Sequence, residues 1–197
     1  DYILPRVMSR FLQAYPGVFV ELSRADSATV WDAVRNYEAE LGVAGSARED
    51  SSLERLVVAR DELVLIAPST DEYSLWEDPV PLEKVLQAPM LRREPGSGTQ
   101  KTFDDALRRL GEDPDHITAR AQLDSVEAIR SAVAAGGGVA VVSNLAVQGD
   151  LAAQSVRVMR IEGLNLIRSF YLITHRNRVL SPAAQAFRDF MVSSLSR

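Results

Sequence analysis

The chain has 197 residues, 46% of them apolar and 25% charged, with a formal net charge of −5 and no cysteine. That size and balance suit one sizeable core or two small lobes, and they exclude a disordered or fibrous chain. The missing cysteine removes disulfides, thiolate nucleophiles and cysteine-ligated metals, the negative balance argues against these residues gripping nucleic acid themselves, and no apolar run approaches the roughly 20 residues that cross a bilayer.

In chain order, Leu4, Val7, Met8, Phe11, Leu12 and Tyr15 recur at three- and four-residue steps and predict an amphipathic helix stopped by Pro16-Gly17. Val18-Phe19-Val20-Glu21-Leu22 predicts a strand that leads into the capping group Asp26-Ser27-Ala28-Thr29 and a second helix. Leu41-Gly42-Val43-Ala44-Gly45 predicts a buried strand, followed by a polar loop over 46–52. Leu56-Val57-Val58-Ala59 and Leu63-Val64-Leu65-Ile66-Ala67 predict two strands separated by Arg60-Asp61-Glu62. Residues 69–81 read as a loop and a crossing between lobes, and Pro81 suits the first turn of a short helix.

The second half repeats the alternation. A strand over 88–92 runs into Glu94-Pro95-Gly96-Ser97-Gly98-Thr99, and Phe103, Ala106, Leu107 and Leu110 then fall at helical spacing. Residues 117–123 alternate like a strand, Asp124-Ser125 stand at a cap, and a helix carrying Val126, Ile129 and Val133 stops at Gly136-Gly137-Gly138. A buried strand Val139-Ala140-Val141-Val142 enters Ser143-Asn144, a short helix covers 145–153, strands cover 156–161 and 169–174, and a last helix starts at Ser181-Pro182. The chain opens at Asp1 with no methionine and no signal-type segment, so the expectation is a cytoplasmic piece of a longer protein.

Strands alternating with helices predict a mostly parallel α/β sheet whose ligands sit beyond the carboxyl ends of its strands. The cap-rich turns at 27–29, 45–46, 96–99, 124–125 and 143–144 are then expected to face one crevice. The turn at 96–99 is the richest of them. It leaves backbone amides at a helix N-terminus beside hydroxyls, with glycine on both sides of Ser97, which suits a small anion. Ser97 and Thr99 also read simply as helix caps, and a carboxylate at Asp26 or Asp124 would occupy the dipole at its own helix.

Other chemistry fails on spacing. His116 and His175 lie far apart without a ligand partner, so no metal is expected. Gly96-Ser97-Gly98 lacks the five-residue form of a nucleophile elbow, and Gln100 stands where a phosphate loop needs glycine before Lys101. The triple glycine follows a helix and precedes a strand, the reverse of a dinucleotide fingerprint. No acid, base and nucleophile constellation appears, so the chain is read as a non-enzyme that needs no cofactor.

Taken together, Tyr15-Pro16-Gly17-Val18, Leu41-Gly42-Val43-Ala44-Gly45, Asp61-Glu62-Leu63-Val64-Leu65-Ile66-Ala67-Pro68, Arg93-Glu94-Pro95-Gly96-Ser97-Gly98-Thr99, residues 128–136 and Ser181-Pro182-Ala183-Ala184 with Phe187 carry a resemblance. In that order and spacing the chain resembles the effector-binding, or regulatory, domain of LysR-type transcriptional regulators over nearly its whole length. The resemblance implies a periplasmic-binding-protein-like (type 2) α/β fold, with two Rossmann-like lobes joined by two crossover strands and an effector in the cleft, and the turn at 96–99 makes that effector a small anionic metabolite. Lobe I would be residues 1–68 plus 170–197 and lobe II residues 69–169. Effector contacts would fall on Ser27, Ala28, Thr29, Gly45, Ser46, Glu94, Ser97, Gly98, Thr99, Asp124, Ser125, Ser143 and Asn144. It further implies homodimers or homotetramers that control transcription by a change in oligomer geometry. DNA would be reached only through an N-terminal winged helix-turn-helix and linker helix outside this sequence, and there would be no membrane contact. The family's first strand would precede the helix that begins near Asp1. Glu40 and Gly137 depart from the common pattern. A periplasmic-type solute-binding protein of a transporter is the alternative on the same fold.

Overall fold

The computed structural model describes residues 3–195, and Asp1 and Arg197, the expected ends of lobe I, lie outside the described residues. The chain forms two compact units, Asp1–Arg60 with Ser169–Arg197, and Asp61–Arg168. The expected boundaries stood at 68/69 and 169/170. The observed division falls inside two long strands, β2 (Leu53–Pro68) and β7 (Ile167–His175).

β2 is a single strand of 16 residues, where the sequence predicted two. Arg60-Asp61-Glu62 reads as a break because it is polar. It contains neither glycine nor proline, and a charged residue remains in a strand when its group finds partners.

In the first unit, helices α1 (Leu4–Ala14), α2 (Ser27–Arg35) and α8 (Pro182–Leu195) accompany strand β1 (Gly42–Ala44). β1 pairs antiparallel with β7, Gly42 opposite Ile173 and Val43 opposite Leu172. Trp31 and Val34 of α2 pack with Ala44, Leu53 and Ile173, and Val7 of α1 packs with Val58, Leu172 and Met191 of α8. Burial of each of the valine, leucine, isoleucine and methionine side chains among them stabilises by about 1.5–3 kcal/mol. Phe11 meets Phe187 and Phe190 edge-on, with centroids 5.0 and 5.5 Å apart, and joins α1 to α8. Glu40 fixes the start of α8: its carboxylate accepts from the Ser181 amide at 2.8 Å and from the Ser181 hydroxyl at 2.9 Å. The departure at Glu40 therefore has a structural role here.

The predicted strand over 18–22 does not form. Residues 18–26 carry no regular structure, and Phe19 is 88% exposed. A β-rich sequence becomes a strand only with a ladder partner, and among the described residues β1 pairs with β7 alone.

In the second unit, β2 lies between β5 (Ala140–Ser143) and β6 (Val156–Met159), antiparallel to both, with Leu63 opposite Ser143 and Leu65 opposite Met159. β3 (Met90–Arg93) pairs parallel with β4 (Ala119–Leu123) and touches Val139 in a parallel bridge. The mostly parallel sheet predicted from strand–helix alternation does not form: β3 and β4 make a separate two-stranded parallel sheet, whereas the ladders of β2 with β5 and β6 are antiparallel. Helices α3 (Asp71–Ser74), α4 (Leu82–Gln87), α5 (Gly98–Arg109), α6 (Val126–Ala134) and α7 (Gln148–Ala153) complete the unit. Phe103 and Leu107 of α5 enter a core with Leu63, Leu65, Met90, Val139 and Val141. The triple glycine is the tight turn the sequence suggested. Gly138 has φ 132°, and a Cβ there would collide with the Pro89 carbonyl oxygen, so β5 approaches the start of β3 only through glycine.

Candidate functional site

The site is built around the start of α5 in the second unit. β3 ends at Arg93, and Gly96, with φ 91°, turns the chain in a conformation that favours glycine. Ser97 is the N-cap, its hydroxyl accepting from the Gln100 amide at 3.5 Å. Gly98 and Thr99 are the first two helical residues. Their amides precede the first intrahelical acceptors and find no acceptor among the described residues. Ser97 and Thr99 are both buried.

Behind Thr99 stands a charged network that the sequence reading did not contain. Asp61 of β2 is fully buried, and both of its oxygens are used. Oδ1 accepts from the Ser143 hydroxyl at 2.9 Å, and Oδ2 accepts from Arg168 Nε at 2.9 Å and from its terminal nitrogen at 2.8 Å. The other terminal nitrogen of Arg168 donates to Thr99 Oγ1 at 3.0 Å. Burial lowers the Arg168 pKa, Asp61 opposes the shift, and the charge of Arg93 adds to it. A buried guanidinium and carboxylate persist together because each satisfies the other.

The remaining expected residues of this unit have partners of their own. Ser143 donates to Asp61 and accepts from the Leu145 amide at 3.2 Å. Glu94 forms a two-point pair with Arg93 at 2.7 and 2.8 Å. Asp124 is exposed, and its carbonyl accepts from Arg93 at 3.4 Å. Ser125 caps α6 through the Ala128 amide at 3.0 Å. Asn144 receives Gln148 at its carbonyl, 3.0 Å, and at its side-chain oxygen, 3.3 Å. Of the expected residues, Thr99 and Ser143 meet the Asp61–Arg168 couple directly, whereas Ser97, Ser125 and Asn144 are engaged in local helix contacts.

In the first unit the expected residues form a second cluster. Asp26 caps α2: its carboxylate accepts from the Thr29 amide at 3.0 Å and the Thr29 hydroxyl at 2.8 Å. Burial alone would raise this carboxyl, but the hydrogen bonds from Thr29 and Ala28 bring its pKa below the ordinary aspartate value. Ser27 Oγ accepts from the Gly45 amide at 3.3 Å, and Trp31 Nε1 donates to the Ser46 carbonyl at 3.0 Å. Ala28 and Thr29 are exposed at the helix start.

A sequence signal for Asp61 and Arg168 did exist. Asp61 shares strand parity with the buried Leu63 and Leu65, and Arg168 shares parity with the buried Leu172. Among the described residues no group of histidine, cysteine, aspartate or glutamate could hold a metal ion, and no helix is long and apolar enough to cross a membrane.

Residues 1–196 match the family described as the LysR substrate binding domain. A relative from Mycobacterium tuberculosis, named an uncharacterized HTH-type transcriptional regulator, is 36% identical over 90% of this chain and 57% of its own length. A relative from Anaeromyxobacter dehalogenans, named a phosphonates import ATP-binding protein, is 39% identical over 96% of this chain and 38% of its own length. The chain thus spans less than two thirds of the relatives it matches. Among solved structures, the regulatory domain of Synechocystis CcmR in complex with 2-PG superposes with a TM-score of 0.88 at 25% identity, over 100% of this chain and 92% of that one. The chain belongs to the LysR substrate-binding domain family, with its type 2 periplasmic-binding-protein-like fold.

Proposed function

We propose that this domain senses a small anionic metabolite at the N-terminus of α5 and passes its occupancy to a homodimer or homotetramer. The observation that carries the reading is the set of unspent donors there, the amides of Gly98 and Thr99, at the positive end of a helix dipole. Ser97 and Thr99 add hydroxyls beside them. The solved CcmR regulatory domain, with 2-PG bound, supports a small ligand for a domain of this shape. Units Asp1–Arg60 with Ser169–Arg197 and Asp61–Arg168 take the parts of regulatory lobes I and II.

Control is then a population shift. The metabolite favours one arrangement of the oligomer by no more than its difference in affinity for the two arrangements. DNA is contacted by a part of the protein outside this chain, the setting is cytoplasmic, and the chain performs no catalysis of its own. The transporter-type alternative gains no support from the relatives named as transcriptional regulators. Calorimetric titration with sulfate and with small carboxylates tests the reading. Binding is expected in the native chain and lost in Ser97→Ala combined with Thr99→Ala, with the thermal melt retained. Unchanged binding in that variant would place the ligand elsewhere.

A further inference from the structure

We infer that the buried Asp61–Arg168 couple is a positioning device that fixes Thr99 as a hydrogen-bond donor, and thereby restricts the α5 site to oxyanions. The inference rests on the anion reading given above and adds the residues that enforce it.

A hydroxyl has one proton to give and lone pairs to receive. Thr99 Oγ1 receives from Arg168 at 3.0 Å. The Thr99 oxygen is therefore partnered, although Thr99 is only 5% exposed, and its proton is the half of the hydroxyl that a ligand oxygen would take. Ser143 is the opposite case. It gives its proton to Asp61 and receives from the Leu145 amide, so it has nothing left to give a ligand.

Arg168 cannot turn away from Thr99 without leaving Asp61. Its Nε and one terminal nitrogen are held on Oδ2 at 2.9 and 2.8 Å, and the planar guanidinium then aims the remaining terminal nitrogen at the hydroxyl. Because arginine only donates, Thr99 is kept from donating back and must offer its proton elsewhere. Together with the Gly98 and Thr99 amides, the Thr99 proton makes a cluster of donors at the start of α5. Carboxylate, sulfate or phosphate oxygens fit these donors, whereas an ammonium or amide N–H at the same place would meet the two amides and the Thr99 proton head-on. The charge of Arg168 is balanced by Asp61, so its contribution is the direction of a hydrogen bond rather than a free positive charge.

The test uses the 197-residue chain and sodium sulfate, with affinities from calorimetry and the Gly98 and Thr99 amide shifts followed by NMR. In the native chain sulfate should move both amides. If it moves neither, the anion reading fails and takes this inference with it. Thr99→Val should weaken sulfate about tenfold or more, as loss of a hydrogen bond to a charged group does, and Thr99→Ser should bind within about threefold of native. In a background of Asp61→Leu with Arg168→Met, which replaces the couple with apolar groups, Thr99→Val should cost less than about twofold, because the hydroxyl is no longer held. An equal cost of Thr99→Val in both backgrounds would overturn the positioning role and leave the anion reading standing. Arg168→Lys keeps a charge on Asp61 but not the planar fork, so it should reproduce the apolar background if that variant folds poorly; native-like coupling in it would also overturn the inference.

Discussion

The starts of α2 and α5 look alike in sequence and differ in chemistry. Each carries hydroxyls at its first turn beside the end of a strand. At α2 the cap is a carboxylate, Asp26, which takes both the amide and the hydroxyl proton of Thr29, while Ser27 is used to hold the Gly45 amide. At α5 the cap is the neutral Ser97, and Thr99 receives from Arg168 with its own proton unspent. An anion approaching α2 meets a negative charge already on the dipole, and one approaching α5 meets donors. A hydroxyl near a helix start is therefore no ligand group by type. What decides is whether its proton is spent, and on what.

The largest effect separating the two regions should come from breaking the couple behind Thr99 on one side only. Asp61→Ala, or Arg168→Ala, leaves an uncompensated buried charge and should destabilise the chain by about 3–5 kcal/mol in urea unfolding, while the apolar pair Asp61→Leu with Arg168→Met should lie much nearer native. If the two single variants unfold like the native chain, the network is not the closed pair described.

A middle effect belongs to the first unit. Ser27→Ala removes the acceptor of the buried Gly45 amide and should cost about 1–3 kcal/mol, with the 3.3 Å bond placing it toward the lower end, while sulfate affinity stays at the native value. A loss of sulfate affinity in Ser27→Ala would erase the distinction between the two helix starts. Ser97→Ala should cost about 0.5–1 kcal/mol as a cap and should also weaken sulfate, so it reports on both quantities at once.

The smallest effect is a pH dependence. The folded pKa of Asp26 lies below the ordinary value of 3.8, so the unfolded chain binds its proton first as pH falls. The stability it contributes is present above about pH 4 and is lost as pH drops through the lower folded value. Glu40, held low first by the Ser181 amide, acts in the same direction. Asp26→Asn should flatten the acid limb of stability against pH below about 4 and change nothing near pH 7 beyond the cap itself. An acid limb identical to native would show that Thr29 does not hold the carboxylate.

The segments with local causes were legible in the residues. The apolar spacing of 4–15, the Asp26 and Ser125 caps, the Pro81 start and the glycine stop at 136–138 each depend on neighbours within a few positions, and each appears where its pattern placed it. The strand over 18–22 did not, because a strand needs a ladder partner from elsewhere in the chain, and β propensity cannot name it. Arg60-Asp61-Glu62 looked like a turn for a related reason. Polarity marks a loop only until a buried partner accounts for it, and the partner of Asp61 stands 107 positions away.

By itself, then, the sequence determined the family, the periodic helices, the caps and the glycine turn that opens α5, since these follow from local backbone preferences and from the order of short motifs. Only the tertiary structure decided which hydroxyls are spent. The direction of a hydrogen bond depends on the third group that each oxygen meets, and for Thr99 that group is an arginine on a strand distant in sequence, aimed by an aspartate on another.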